Sequence, residues 1–283
     1  MRVAIVVTVY RNPPRLAALW DNMRWSGLPD IPVYVFEDPS PFEDRKEITE
    51  AYHAVASDKG IQVLNTAPQW GCMQGIIQYA LENTSEDWII YVPDDVLFTK
   101  GALWNEYAGV LTYGRDFVGA IQAPYWNAQD LVHMGAIPYK EIMLNGWRPD
   151  SIPQNPHWNG GGVPRKYINV NGAGFSVNRA CWEGMRGWPS VTWRLDEYLG
   201  YQSWRQGLVV LTLPGQPRIH FFGGSTAYQP QYLTYHTEES WKLATGGLSP
   251  ADCGSILVKI MDKLPDENFD GILDFFNKGG SLL

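Results

Sequence analysis

An unbroken run of apolar and β-branched residues opens the chain at Val3 to Val9 (VAIVVTV). Such a run suits a strand buried on both faces of a parallel sheet. Pro13 and Pro14 then start a segment in which Leu16, Leu19, Trp20 and Met23 recur at the spacing of one helical face, predicting a helix from Arg15 to Trp25. Ile31 to Phe36 (IPVYVF) predicts a second strand, ending in the acidic, turn-forming Glu37-Asp38-Pro39-Ser40-Pro41. These elements make a βαβ unit, and its acidic loop falls at the C-terminal sheet edge, where open α/β sheets bind ligands.

The alternation continues. A helix is expected over Phe42 to Lys59, a short strand at Ile61 to Asn65, and a further helix running through Leu81 after Trp70-Gly71-Cys72-Met73-Gln74-Gly75. Asp87 to Val92 (DWIIYV) predicts a fourth strand that runs straight into Pro93-Asp94-Asp95-Val96, followed by a helix from Gly101 to Tyr113 and a strand from Phe117 to Ala123. Strands and helices in turn predict an α/β, Rossmann-like, mostly parallel sheet flanked by helices. From Tyr125 to Pro164 the pattern breaks into Trp, Asn, Pro and Gly, the mark of a long functional loop or a small hairpin excursion. Periodicity returns over Tyr167 to Val177, with helices near Asn178 to Met185 and up to Gln206, a strand at Leu208 to Leu213, and a C-terminal helical tail around Asp266 to Asn277. The expected division is into two halves, 1–124 and 125–227, and a tail at 228–283.

With 283 residues the chain can bury a sizeable core, and its 45% hydrophobic and 18% charged residues are those of a globular protein. A net charge of -8 argues against sequence-independent binding to nucleic acid through a basic face. Cys72, Cys181 and Cys253 are widely spaced and odd in number, which fits reduced thiols and not a disulfide framework. No stretch has the length of a membrane span, and the expected setting is cytoplasmic, without a membrane anchor. The 13 Trp and 15 Tyr are the unusual feature. Rings within apolar runs fill a core, whereas Trp126, Trp147 and Trp158, in the polar loop region, serve either as an acceptor platform or as pins holding that loop to the core.

Asp94-Asp95, at the end of a strand, offers hard oxygen ligands suited to magnesium or manganese, or else caps the turn that follows. Asp196, in Trp193-Arg194-Leu195-Asp196-Glu197, can form a surface ion pair with Arg194 or Arg205. His220, a lone histidine just after a strand, reads as a structural residue. Gly223, Gly224 and Ser225 offer backbone amides and a hydroxyl to phosphate.

The order of these features resembles the GT-A fold, in particular glycosyltransferase family 2. The family's opening strand with Tyr, Asn and proline resembles VTVYRNPP, its acidic second-strand end resembles Glu37-Asp38-Pro39-Ser40, and its Gly-containing segment resembles Trp70 to Gly75. Its DxD motif corresponds to Val92-Pro93-Asp94-Asp95, with Val92 in place of the first acid, an xDD form. The resemblance implies that Asp95 binds Mn2+ or Mg2+, with His220 completing the metal shell, and that Asp94 lies toward the ribose. Asp38 would accept a hydrogen bond from the base, and Thr8, Tyr10, Arg11, Gly71 and Gln74 would complete the donor site. The family's Gly-Ala-Gly segment resembles Gly172-Ala173-Gly174, which with Trp126 and Trp158 would face the acceptor. Its catalytic aspartate, the general base, aligns with Asp196, with Glu197 as the alternate.

The implied activity is inverting transfer from a nucleotide-diphosphate sugar, with a UDP-sugar the expected donor, to a glycan, small-molecule or modified-base acceptor. Two other readings stand beside it. A nucleotidyltransferase would bring a Gly-rich basic signature that VTVYRNPP lacks, and a catalytically silent carbohydrate-binding protein would fit the loss of the first DxD acid.

Overall fold

The computed structural model describes residues 1–10, 12–37, 44–65, 77, 80–133, 162–185, 195–221, 238–264 and 268–283. In chain order the elements are β1 (Val3–Val9), α1 (Pro13–Trp25), β2 (Val33–Glu37), α2 (Arg45–Lys59), β3 (Val63–Asn65), β4 (Trp88–Pro93) and β5 (Val96–Phe98). Then come α3 (Ala102–Tyr113), β6 (Val118–Gln122), β7 (Tyr125–Asn127), α4 (Ala128–His133), β8 (Arg165–Lys166), β9 (Phe175–Asn178), α5 (Arg179–Gly184) and α6 (Leu195–Arg205). The last are β10 (Val209–Thr212), β11 (Arg218–His220), α7 (Glu238–Thr245), α8 (Pro250–Met261) and α9 (Phe269–Asn277).

An 8-stranded sheet runs in the order β3-β2-β1-β4-β9-β6-β10-β8. The strands read from continuous apolar runs, β1 to β4, pair in parallel, with Val7 opposite Val92. They are buried because helices cover both faces. The sheet is not parallel throughout: β9 inserts antiparallel between β4 and β6, and β8 closes the edge antiparallel to β10. Its insertion follows from the turn that precedes it. Gly174 takes φ +134, a conformation that favours glycine, and the backbone bond from Gly174 N to Asn171 O (3.1 Å) folds the chain there. Only Phe175–Asn178 of the periodic stretch from Tyr167 therefore forms this strand.

A second, 3-stranded sheet, β5-β11-β7, stands at the C-terminal edge of β4. Its placement depends on α1. Pro13 sits in the first turn of that helix, and Leu16, Leu19 and Met23 are buried against the large sheet. Asn22 is buried on the same helix, where its Nδ2 donates to Phe98 O (3.0 Å) and its Oδ1 accepts from Phe98 N (2.7 Å). One side chain thus serves both backbone groups of a strand residue. Ser26 Oγ donates to Thr99 O (2.7 Å), and Thr99 Oγ1 donates to Pro217 O (2.9 Å), so the end of α1 anchors β5 and the entry to β11.

The tail holds more helix than the sequence pattern alone predicts. α8 begins with a capping box, in which Ser249 Oγ accepts from Asp252 N (3.1 Å) and Asp252 Oδ2 accepts from Ser249 N (3.0 Å). In α9, Phe269 and Ile272 are buried, and Phe276 stacks on Phe117 at 4.4 Å. Trp88, Trp204 and Trp241 are fully buried, so for these rings the core reading holds. No helix among the described residues is long and apolar enough to cross a membrane.

Candidate active site

Asp94 and Asp95 occupy the turn between β4 and β5, at the C-terminal edge of the sheet. Val92, at the position of the missing first acid, is fully buried and lies opposite Val7 within the sheet. An apolar side chain there belongs to the core, and the acidic function begins only where the strand ends. The two aspartates, 5% and 9% exposed, have different partners. Asp94 Oδ2 accepts a hydrogen bond from Tyr10 N (3.0 Å), and its Oδ1 lies 4.0 Å from the Arg15 guanidinium, so this carboxylate ties the end of β1 and the start of α1 to the turn. Asp95 Oδ2 lies 3.4 Å from His220 Nε2, and Asp95 Oδ1 is buried with no hydrogen-bond partner among the described residues.

His220 reaches Asp95 because β11 pairs antiparallel with β5, placing His220 opposite Val96, and Phe221 N donates to Asp95 O (2.8 Å). On its other side β11 runs parallel to β7, with Ile219 opposite Trp126. Trp126 is half-buried and packs against the small cluster of Leu97, Ala128, Leu131, Ile219 and Phe221. Tyr125 sets the edge of its ring against His220, with centroids 6.4 Å apart.

A buried carboxylate oxygen with no donor is costly unless a cation or a ligand completes it. The donor set of one hard oxygen and one imidazole suits a divalent ion such as Mn2+. Adjacent ligands at ~2.1 Å on an octahedral ion lie ~3 Å apart, close to the separation of Asp95 Oδ2 and His220 Nε2. The residues present therefore fit a metal. They are two, and no group of three or more His, Cys, Asp or Glu that could hold an ion occurs among the described residues.

Asp196 sits half-buried in the first turn of α6. Its Oδ2 accepts from Gly172 N (3.0 Å) and its Oδ1 from Glu197 N (3.0 Å). Glu197, the alternate base, is also half-buried beside it. Arg205, the described member of the two arginines near Asp196, donates to the Tyr201 hydroxyl (2.9 Å). Burial first, then the Tyr167 phenol and the Asp196 carboxylate, push the Tyr125 phenol up to about 12. Tyr125 is thus in contact with His220 and in the electrostatic field of Asp196, and it joins the two parts of the site.

The Gly172-Ala173-Gly174 turn is built on Gln122, the last residue of β6. Gln122 Nε2 donates to Gly174 O (3.0 Å), and Asn171, next to Gly172, donates its N–H to Gln122 Oε1. Asn171 Oδ1 in turn accepts from Ala173 N (2.9 Å). Underneath lies Arg218, fully buried and paired with Glu106 of α3. Burial pushes the Glu106 carboxyl up, and the adjoining guanidinium opposes that shift.

Thr8 shares a hydrogen bond with the Tyr91 hydroxyl (3.0 Å), at the same sheet edge as Tyr10 and Asp94. Arg11, Asp38, Gly71, Gln74 and Trp158 lie outside the described residues, as do Trp147, Gly223, Gly224 and Ser225. The structure thus brings Asp94, Asp95 and His220 together, and separately Asp196 with Gly172. Asn22, Gln122, Glu106, Arg218 and Tyr125 carried no local sequence signal.

No protein-family model matches the chain, and no curated protein matches it in sequence. Solved structures do. The mannosyltransferase PcManGT from Pyrobaculum calidifontis, in complex with GDP-Man and Mn2+, superposes with a TM-score of 0.57 at 16% identity, over 90% of this chain and 68% of that one. The fold is GT-A. TarS 1-349 of S. aureus, in complex with UDP-GlcNAc, matches with a TM-score of 0.57 at 12% identity over 91% of this chain and 70% of that one. GalNAc-T7 with UDP, GalNAc and Mn2+ matches with a TM-score of 0.53 at 11% identity, over 78% of this chain and 43% of that one. The Asp94-Asp95 turn follows β4 at the C-terminal edge of the sheet, the edge at which open α/β sheets bind ligands.

Proposed function

We propose that this chain is a metal-dependent, inverting glycosyltransferase that moves a sugar from a nucleotide-diphosphate sugar to an acceptor hydroxyl. The observation that carries the reading is Asp95: a buried carboxylate on a GT-A scaffold, facing His220, with one oxygen that has no hydrogen-bond partner among the described residues. Mn2+ or Mg2+ would be held by Asp95 and His220. When bound, the ion supplies positive charge to the departing diphosphate, which a chain of net charge -8 has little other means to supply.

The chain's own residues supply the rest. Asp94, fixed by Tyr10 N and facing Arg15, is directed to the ribose, and Thr8, Tyr10, Arg11, Asp38, Gly71 and Gln74 form the donor pocket. A UDP-sugar is the first donor to test. GDP-sugars come next, because PcManGT was solved with GDP-Man and TarS with UDP-GlcNAc. The acceptor approaches from the side of Trp126, Trp158 and the Gly172-Ala173-Gly174 turn. Asp196 removes the proton of the acceptor hydroxyl as its oxygen bonds to the anomeric carbon. The bond from that carbon to the diphosphate oxygen breaks, its electron pair leaves with the diphosphate, and the single displacement inverts the centre. Residues 1–124 then hold the donor, 125–227 hold acceptor and base, and 228–283 brace the second part. The free, buried Cys181 and Cys253 support a reducing, cytoplasmic setting.

Incubation with Mn2+ and a panel of nucleotide sugars tests the reading. The expected result is slow, metal-dependent release of nucleoside diphosphate even without acceptor. Sugar binding with no release from any donor would turn the conclusion to a silent carbohydrate-binding protein.

A further inference from the structure

Arg218 is fully buried, two residues before His220 on β11, at the junction of every element that carries the site. Its Nε and NH2 groups donate to the two carboxylate oxygens of Glu106, a bidentate pair. Its NH1 group donates to Tyr91 O on β4 (2.9 Å) and to Ala173 O in the Gly-Ala-Gly turn (3.3 Å), and the guanidinium carbon lies 4.9 Å from the centre of the Phe98 ring on β5. Tyr91 stands three residues before Asp94. Ala173 adjoins Gly172, whose N–H holds Asp196. The fit at the turn is tight: a Cβ on Gly174 would lie 1.6 Å from Arg218 NH1.

Burying an ion pair is expensive, and apolar replacements often hold a fold equally well. What the pair adds here is direction. Arginine's planar fork reaches three separate segments at once, which neither an apolar side chain nor a lysine can do. We propose that Arg218 is a positioning residue whose buried guanidinium, oriented by Glu106, fixes the Gly172–Gly174 turn against β4 and β11 and so sets Asp196 relative to the Asp95–His220 pair. This rests on the transferase reading above, and it concerns the distance between base and metal site, not either one alone.

Arg218→Lys keeps a cation facing Glu106 and removes the two-way reach to Tyr91 O and Ala173 O. The experiment measures Mn2+-dependent hydrolysis of the UDP- or GDP-sugar that the wild type cleaves fastest, alongside Mn2+-dependent affinity for UDP and GDP. In Arg218→Lys, kcat falls at least ~30-fold while KM and nucleotide affinity stay within about threefold. Combined with Asp196→Asn, the same substitution lowers the residual rate by less than about threefold, because the carboxylate it positions is already gone. Equal loss in both backgrounds, or loss of nucleotide affinity in step with kcat, assigns Arg218 a general structural role and overturns the proposal. Should Arg218→Lys not fold, Glu106→Gln, which keeps the shape of the side chain and removes the charge that orients the guanidinium, is held to the same two criteria. A wild type that cleaves no donor overturns the transferase reading itself. An active wild type with an unaffected Arg218→Lys overturns this proposal alone.

Discussion

Asp95 lies 9% exposed at the end of a central strand, locked between two β-sheets and against His220, whereas Asp196 is half-buried in the first turn of a helix and held by two backbone N–H groups. The two sides also differ in how they are supported. The Asp94-Asp95 turn is braced from β1, α1, β5 and β11, and its carboxylates are buried with their neighbours. The Asp196 side hangs on one glycine-rich turn resting on Gln122 and Arg218. A diphosphate and its ion need a site that is rigid and dry before substrate arrives, because electrostatic stabilisation depends on dipoles already in place. A general base must instead stay reachable by an incoming hydroxyl. Under the proposed function, the contrast is that of a preorganised donor side and an accessible acceptor side.

The sharpest break of this comparison is Asp196→Asn. If Asp196 acts only on the acceptor, the substitution should lower kcat for transfer or donor hydrolysis by about 10²–10⁴-fold, the span of general-base contributions. Donor affinity should hardly change. Calorimetric titration with UDP or GDP and Mn2+ checks the second half, and a parallel loss of affinity would merge the two sides into one. Asp95→Ala tests the donor side from the other direction. Ligand at a hundredfold excess over its Kd stabilises a protein by about 2.7 kcal/mol, or roughly 5–10 °C in Tm for a chain of this size. That Mn2+-dependent shift with nucleoside diphosphate should appear in the wild type and vanish in Asp95→Ala. An unchanged shift would remove Asp95 from the metal site.

The donor side was also the more legible in sequence. VAIVVTV and DWIIYV declare two buried parallel strands by composition, and two aspartates directly after the second are visible as a strand-end acidic pair. Val92 reads as a departure from a motif, and the structure explains it by burial in the sheet. What escaped local reading were polar residues whose partners are distant in the chain. Asn22 serves Phe98 across 76 positions, and Arg218 meets Glu106 across 112. A buried arginine or asparagine has no periodic signature, and its role exists only once the fold has brought its partner to it. The antiparallel entry of β9 escaped for the same reason, since β-pairing partners are set by the tertiary structure. α8 is a different case: its capping box, Ser249 to Asp252 with Pro250 between, is a local signal that the sequence does display.

A further buried carboxylate at the strand ends should also make stability depend on pH, an effect smaller than the catalytic losses above. Glu37, at the end of β2, is 3% exposed and accepts a hydrogen bond from Thr49 Oγ1 (2.8 Å). Burial raises its pKa above the ordinary carboxylate range, outweighing the opposing pull of Thr49, His53 and Arg45. For an acid whose pKa is raised by folding, the native state holds its proton more tightly than the unfolded chain does. The associated stability is therefore full below the unfolded pKa and is lost as pH rises through the folded one. Glu37→Gln keeps an acceptor for Thr49 and removes the titration, so its Tm relative to wild type should rise by a few degrees between pH 4 and pH 7. Parallel Tm curves for wild type and Glu37→Gln across that range would mean that the donor side does not confine its carboxylates as tightly as the contrast requires.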